Sequence, residues 1–530
     1  MSEYMGERER IAKAAGKMSF ATLISRILGY VKDMILAFYF GATGISDAFF
    51  AAFRITNFLR ELFAEGSMSS AFIPVLTENR HTQGEEAAQR LVKITFSFIL
   101  LCAGIICVLG IIFAPAIVSV ITHGFADQPE KFSLTVLLTR IMFPFLLFIS
   151  LAALIMGTLN TKRVFFIPSL APAMLNITII LIVIALVPLL KQPIIAVAIG
   201  VVIGGFVQFA FQLPSFYKKN YRLGFIADFR HPALKKMAVL LIPATLALAV
   251  NQVYILVSLL LASYLPEGSI TYLYYSMRLI QFPIGIFIVA VGQAALPTLS
   301  EHAVRGDYEK LKEHFSFALR LLFFISIPSM AGLIALREPI VNILFQRGTF
   351  DYVATKATAE ALLFYALAIW AIGGVKVLTV TFYSLQDTKT PVKIAAVGFA
   401  VNLILSLILM GPLRHSGLAL AFSLAAILNA GLLFYFLNKR LERMDVRRIM
   451  QSLMKAVVAS IIMGLTGWTL LRGERWQTSG DTMEKALYLA VTVIVCIILY
   501  AVFSFLLKNE EMAYIFETFK NKIRNKGAVS

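Results

Sequence analysis

The chain opens with two apolar runs that carry charges at helical spacing. In SFATLISRILGYVKDMILAFYF (19–40), Ser19, Thr22, Arg26, Gly29 and Asp33 fall on one stripe at 100° per residue. After the turn GATGIS (41–46), Asp47, Phe50, Arg54, Asn57, Glu61 and Glu65 form a second stripe, with Arg60 to one side. The pattern predicts two membrane-spanning helices, each with a polar face. A charge at the bilayer centre costs roughly 2.5–3.5 kcal/mol on insertion scales. Several facing lipid would cancel much of the gain from insertion, so the stripes face protein, water or a polar ligand. One reading pairs Arg26 with Asp33 and Arg54 with Glu61 merely to hold helices together. The other is a hydrated cavity with cationic walls. Arg60 and Lys32 lie off the main stripes and widen the polar surface, which favours the cavity.

Further apolar runs follow near 92–122, 134–158, 163–188, 194–217, 237–263, 270–299, 314–336, 356–384, 391–411, 415–438, 452–471 and 485–507. The expectation is an all-α, polytopic membrane protein of about fourteen spans. Two basic loops, FYKKNYRLGFIADFRHPALKK and NKRLERMDVRRIMQSLMK, punctuate the series. Alternate assignment of loops puts most of the 48 Lys and Arg on the side of the termini, which are therefore expected in the cytoplasm. Pro283 and Gly285 suggest a bend in 270–299, and Gly373-Gly374 another in 356–384, with close helix packing an equal reading at both places. REPIVNILFQRGTFDYVATK reads as an interfacial helix on the outer side. Arg140 and Arg320, near span ends, read as snorkelling to the surface.

Composition narrows the class. The 530 residues are 59% hydrophobic, and the formal net charge is +18. In a soluble protein that charge would suggest nucleic acid; in short loops between apolar runs it is topology, and no nucleic-acid partner is expected. Cys102, Cys107 and Cys496 lie inside apolar runs and read as packing residues. No small-residue cleavage site follows the polar N-terminus, so the first helix is expected to be its own insertion signal. There is no H-E-x-x-H motif, nucleotide-binding P-loop or Cys/His cluster, and the six histidines read as solvated loop residues. A non-enzymatic transporter without a cofactor is expected, driven by ion gradients, membrane potential or consumption of its product.

An internal repeat carries the argument further. DAFFAAFRITNF (47–58) matches TYLYYSMRLIQF (271–282), superimposing Arg54 on Arg278 and Phe58 on Phe282. PVLTE (74–78) then matches PTLSE (297–301) with a shift of one residue. A duplicated six-helix unit follows: lobes at 1–222 and 223–440, with two extra helices in 441–530. Two such lobes with a site between them are the architecture of an alternating-access transporter. The second lobe offers Arg278 and Lys376. Arg26, Lys32, Arg54 or Arg60, and Arg278 suit an anion, because arginine's planar fork matches phosphate oxygens and stays charged at low dielectric. Asp33, Asp47 and Glu65 would hold the arginines apart or bind polar sugar and peptide groups.

SRILGYVKD (25–33), SDAFFAAFRITNFLRELFAEGSMSSAFIPVL (46–76), LYYSMRLIQFPIGIF (273–287) and LQDTKTPVK (385–393) resemble the MurJ/MviN family of the multidrug/oligosaccharidyl-lipid/polysaccharide exporter superfamily. The resemblance extends over essentially the whole chain. It implies a flippase in the bacterial inner membrane for lipid II, the undecaprenyl-pyrophosphate-linked peptidoglycan precursor. Partners would be lipid II, membrane lipids and, as candidates, cell-wall synthesis proteins. It places family-essential positions on Ser25, Arg26, Lys32, Asp47, Arg60, Glu65 and Arg278, and implies a lipid-tail groove on the last two helices. Three departures stand out. Lys32 replaces an expected arginine and loses the fork. Met277 stands where an Asp is common. No carboxylate occurs in 237–263, which argues against sodium coupling. Alternatives are a flippase for another polyprenyl-pyrophosphate-linked oligosaccharide, a drug/cation antiporter of the same superfamily, or a membrane enzyme on lipid-linked sugars.

Overall fold

A computed structural model describes residues 2–61, 66–442, 444–514 and 516–517. Among these the chain is helical with no strand, and it forms two compact units, 1–270 and 271–530.

The first unit contains α1 (Ser2–Phe40), α2 (Gly44–Arg60), α3 (Gly66–Ile112), α4 (Ala114–Ile121), α5 (Pro129–Met142), α6 (Pro144–Thr161), α7 (Phe166–Leu186), α8 (Ile194–Ala210), α9 (Leu213–Lys218) and α10 (Pro232–Ser263). Its architecture follows from which faces are apolar and small. α7 packs along both α1 and α8, α3 along α6 and α10, and α2 along α5. Gly204 sits against Leu175 so closely that an added Cβ would lie 3.1 Å from the Leu175 carbonyl oxygen, which lets α7 and α8 run in close contact. α3 is broken at Gly84, whose φ of 88° only glycine adopts without strain.

The second unit contains α11 (Ser269–Pro283, entered from the first unit), α12 (Val289–Val304), α13 (Tyr308–Ala335), α14 (Arg337–Phe345), α15 (Tyr352–Ala366), α16 (Ile369–Ser384), α17 (Lys389–Arg440), α18 (Val446–Leu470) and α19 (Thr482–Leu506). α13 is its hub, packing on α12, α16 and α18, while α19 packs on α18. Where a bend is expected at Pro283 and Gly285, α11 passes into α12 through a π-helical turn, Ile284–Ile288. The second expected bend is displaced. The chain turns at Leu367–Ala368, between α15 and α16, and Gly373 lies inside α16, where an added Cβ would collide with Leu322 of α13 at 2.8 Å. Its glycines serve close helix packing rather than bending. α14 forms as a short helix but is not simply laid on a surface, since Val341, Asn342 and Phe345 are buried.

Nine helices among the described residues are long and apolar enough to cross a membrane, and this is a multi-pass membrane protein. The 52-residue α17 is interrupted at Arg414 (φ 48°), between the predicted runs 391–411 and 415–438. Helices α1, α2, α10 and α11–α12 fall on the remaining predicted runs.

Candidate functional site

The polar stripe of α1 is graded along the helix. Ser25 and Arg26 are half-buried, Lys32 is buried, and Asp33 is wholly so. Lys32 Nζ lies 3.1 Å from Asp33 Oδ1 and 5.8 Å from the centre of the Phe53 ring on α2. Asn176 of α7 donates to the Ser25 carbonyl at 3.3 Å, holding this part of α1 in place. The alternative Arg26–Asp33 pair does not form: Asp33 takes Lys32 instead.

The stripe of α2 splits into two parts of different character. Its N-terminal part is closed. Asp47 is 1% exposed, and its Oδ2 accepts from Lys131 Nζ at 3.1 Å and from the Gly268 backbone N–H at 2.8 Å. Lys131, on α5, also lies 4.2 Å from the Phe125 ring centre. Nearby, the Glu267 carboxylate accepts from the Gly44 N–H, and Ser263 Oγ accepts from the Gly124 N–H at 3.0 Å. Together these groups dock residues 263–268 on the ends of α2 and α5. A carboxylate so deeply buried needs such partners, because an unpaired charge there would cost several kcal/mol.

The C-terminal part of α2 is open. Arg54, Asn57, Arg60 and Glu61 are all half-buried. Arg60 Nε donates to Asn57 Oδ1 at 2.7 Å and its guanidinium lies 3.8 Å from Glu61, which also accepts from Gln252 of α10. Glu61 thus turns to Arg60 and Gln252 rather than to Arg54. No hydrogen bond or ion pair links Arg26 or Arg54 to another described residue. Glu65 lies outside the described residues. Two guanidiniums partly open and not neutralised by a described carboxylate are suited to accept an oxyanion.

In the second unit, Arg278 is half-buried on α11. Its helix is fixed by Ser276 Oγ donating to the Thr358 carbonyl at 2.7 Å and by the Tyr275 ring, tilted by 30° against that of Phe345 with centres 4.5 Å apart. Lys376 is exposed on α16, its stem beside Gly292 of α12.

Several functional-looking charges escaped sequence reasoning. Arg320 does not snorkel. It is buried, and its Nη1 lies 2.7 Å from both Glu510 Oε2 and Glu511 Oε1, the latter an ion pair by distance but off the hydrogen-bond direction. Arg448 joins Glu510 at 2.7 Å, and Ser452 Oγ donates to Glu511 at 2.9 Å. Arg140, by contrast, is exposed at the end of α5, as expected. His415 is no solvated loop residue either: it is buried, with Nε2 3.0 Å from the Ala357 carbonyl. Among the described residues no group of three or more His, Cys, Asp or Glu is placed to hold a metal ion.

The arrangement has solved counterparts. A multidrug-resistance transporter of the MOP superfamily, solved in an inward-facing conformation, superposes with a TM-score of 0.64 over 81% of this chain and 98% of its own, at 14% identity. At that identity the likeness concerns the fold, and the fold is that of a polytopic transporter. A structure titled "Lipid II flippase MurJ, inward closed conformation" superposes with a TM-score of 0.74 over 92% of this chain and 98% of its own, at 28% identity. The lipid II flippase MurJ of Burkholderia cenocepacia is 33% identical over 489 residues, 91% of this chain and 94% of that protein. The family described as "Lipid II flippase MurJ" matches residues 36–509, and the chain belongs to the MurJ family.

Proposed function

We propose that this protein is a flippase that carries lipid II from the inner to the outer leaflet of the bacterial plasma membrane by alternating access. The observation that carries the reading is the family match over residues 36–509, nearly the whole helical chain. Arg26 and Arg54 support it chemically, as partly open guanidiniums of the kind a pyrophosphate recruits. Ser25, Lys32, Arg60, Glu65 and Arg278 complete the substrate-binding set in this reading, with Asp47 bracing α2 from within. Lobes 1–222 and 223–440 would be the moving halves and 441–530 an accessory pair, with both termini in the cytoplasm. Lipid II and the surrounding lipids are the partners, and cell-wall synthesis proteins are candidates for docking on the loops.

The test uses bacteria depleted of their own lipid II flippase and complemented with this chain. A membrane-impermeant probe for lipid II is added outside. Exposure of lipid II with the unaltered chain, and its loss with Arg54→Ala at equal membrane abundance, is the expected result. No exposure despite good insertion would overturn lipid II as the substrate and point to another polyprenyl-pyrophosphate-linked glycan. A drug/cation antiporter is disfavoured by the cationic character of the set.

A further inference from the structure

The basic loop between α9 and α10 has more structure than topology requires. A loop that merely keeps charge on one side of a membrane can be slack. This one is pinned at successive points, first beside α9 and then along α3. Tyr221 is buried against Phe216 at 5.7 Å, with Lys162 Nζ 5.3 Å from its ring centre. The Ile226 N–H donates to Ser97 Oγ at 2.8 Å, Asp228 lies 3.5 Å from Arg90, and the Phe229 ring is 6.4 Å from that of Phe98.

What the pinning leaves outside is informative. Lys218, Lys219, Arg222 and Arg230 are all exposed, and the one carboxylate among residues 217–231, Asp228, is already paired. Between these cations Phe225 is 60% exposed and Phe229 41%. Phe98, which Phe229 meets, starts an exposed apolar stripe on α3 that continues through Leu101, Ile105, Val108 and Ile112. At spacings of three and four residues these share one face of a membrane-spanning helix. The loop therefore lies at the end of an apolar, lipid-facing surface, where hydrocarbon gives way to headgroups. Aromatic rings settle at that level, and cations there attract anionic lipid.

We infer that residues 217–230 form a docking surface for anionic phospholipid headgroups, with Lys218, Lys219, Arg222 and Arg230 drawing the negative charge and Phe225 and Phe229 seated at the acyl boundary. Continuity with the apolar face of α3 favours a lipid over a soluble polyanion, which would need no exposed rings beside a membrane span.

The full chain in nanodiscs tests this. A Phe225→Trp reporter is read by fluorescence after subtracting the signal of the chain's own three tryptophans, with Ala227→Trp as a second exposed reporter. Brominated phosphatidylglycerol should quench several-fold more strongly than brominated phosphatidylcholine at equal mole fraction. The preference should vanish when Lys218, Lys219, Arg222 and Arg230 are all changed to Gln. Equal quenching by the two lipids in the unaltered loop, or none by either, would overturn the inference. So would a preference that survives removal of the four charges.

Discussion

Residues 47–58 of α2 and 271–282 of α11 agree in burial through their central turns and part company in charge at their start. Ile55 and Leu279 are buried, as are Thr56 and Ile280; Arg54 and Arg278 are half-buried; Phe53 and Met277 likewise. Even the backbone agrees, since α2 gives way to a π-form residue at Glu61 and its counterpart Gly285 lies within the π-turn Ile284–Ile288. Their N-terminal positions differ. Asp47 carries a charge into the interior and holds Lys131 and the Gly268 N–H there, whereas its counterpart Thr271 is equally buried but uncharged. The lesson is that the two matched segments share a packing register and one arginine, while the fixing of each helix differs. What both copies keep is the better guide to transport, and what one copy alone has is the better guide to its own unit.

That division can be broken experimentally, and the largest effect is expected at the shared residue. Arg54→Ala and Arg278→Ala should each abolish lipid II exposure in the complementation assay while leaving membrane abundance unchanged. Normal exposure with both would remove the arginine pair from the mechanism. Next comes Asp47→Ala, which strands a buried Lys131 and should cost about 3–5 kcal/mol of stability. Thermal unfolding of the purified protein reads it, and Asp47→Asn combined with Lys131→Met should recover much of the loss. A smaller change is expected at the counterpart: Thr271→Val removes a hydroxyl rather than a charge and should cost about 1 kcal/mol. If Thr271→Val proved as damaging as Asp47→Ala, the asymmetry drawn here would be wrong.

The smallest effect is a pH dependence in the second unit. Hydrogen bonds from Arg448 and then Arg320 hold the Glu510 carboxyl below the usual carboxylate range. A carboxyl depressed in the folded state stabilises above its unfolded pKa, and that contribution is lost as pH falls through the lower folded value. Melting temperature should therefore drop on acidification below the ordinary glutamate range, and Glu510→Gln should make the curve shallower. Identical curves would assign the acid sensitivity to other groups.

Much of this was legible from local pattern. The polar stripes, the repeat and the irregularity after Pro283 depend on residues three, four or a few positions apart, where helical geometry decides which side chains share a face. The partners were not legible. Lys131 stands 84 residues from Asp47 and sat in what read as loop, with nothing to distinguish it from a topological charge. Arg320 meets Glu510 across 190 residues, and a lone arginine near a span end looks the same whether it snorkels or is clasped. Gly373-Gly374 left two readings open because glycine permits both a bend and a close approach, and Leu322 of α13 takes up the space. A run of two acids just beyond the last span, at 510–511, was the one available hint that Arg320 had somewhere inward to turn.

The hairpin of α18 and α19 is secured at both of its ends. Beyond α19 the Glu510–Glu511 pair grips Arg320 and Arg448, and at the opposite end Asn342 of α14 and Gln346, just past its end, donate to the carbonyls of Trp476 and Gln477 at 2.7 and 2.8 Å. The consequence concerns ancestry as much as stability. Removing the hairpin would leave Arg320 buried without its two carboxylates, and the amides of Asn342 and Gln346 without the carbonyls they meet. A lineage could therefore discard the hairpin only by replacing Arg320, Asn342 and Gln346 as well, so the accessory pair is held in place by inheritance through residues that lie outside it.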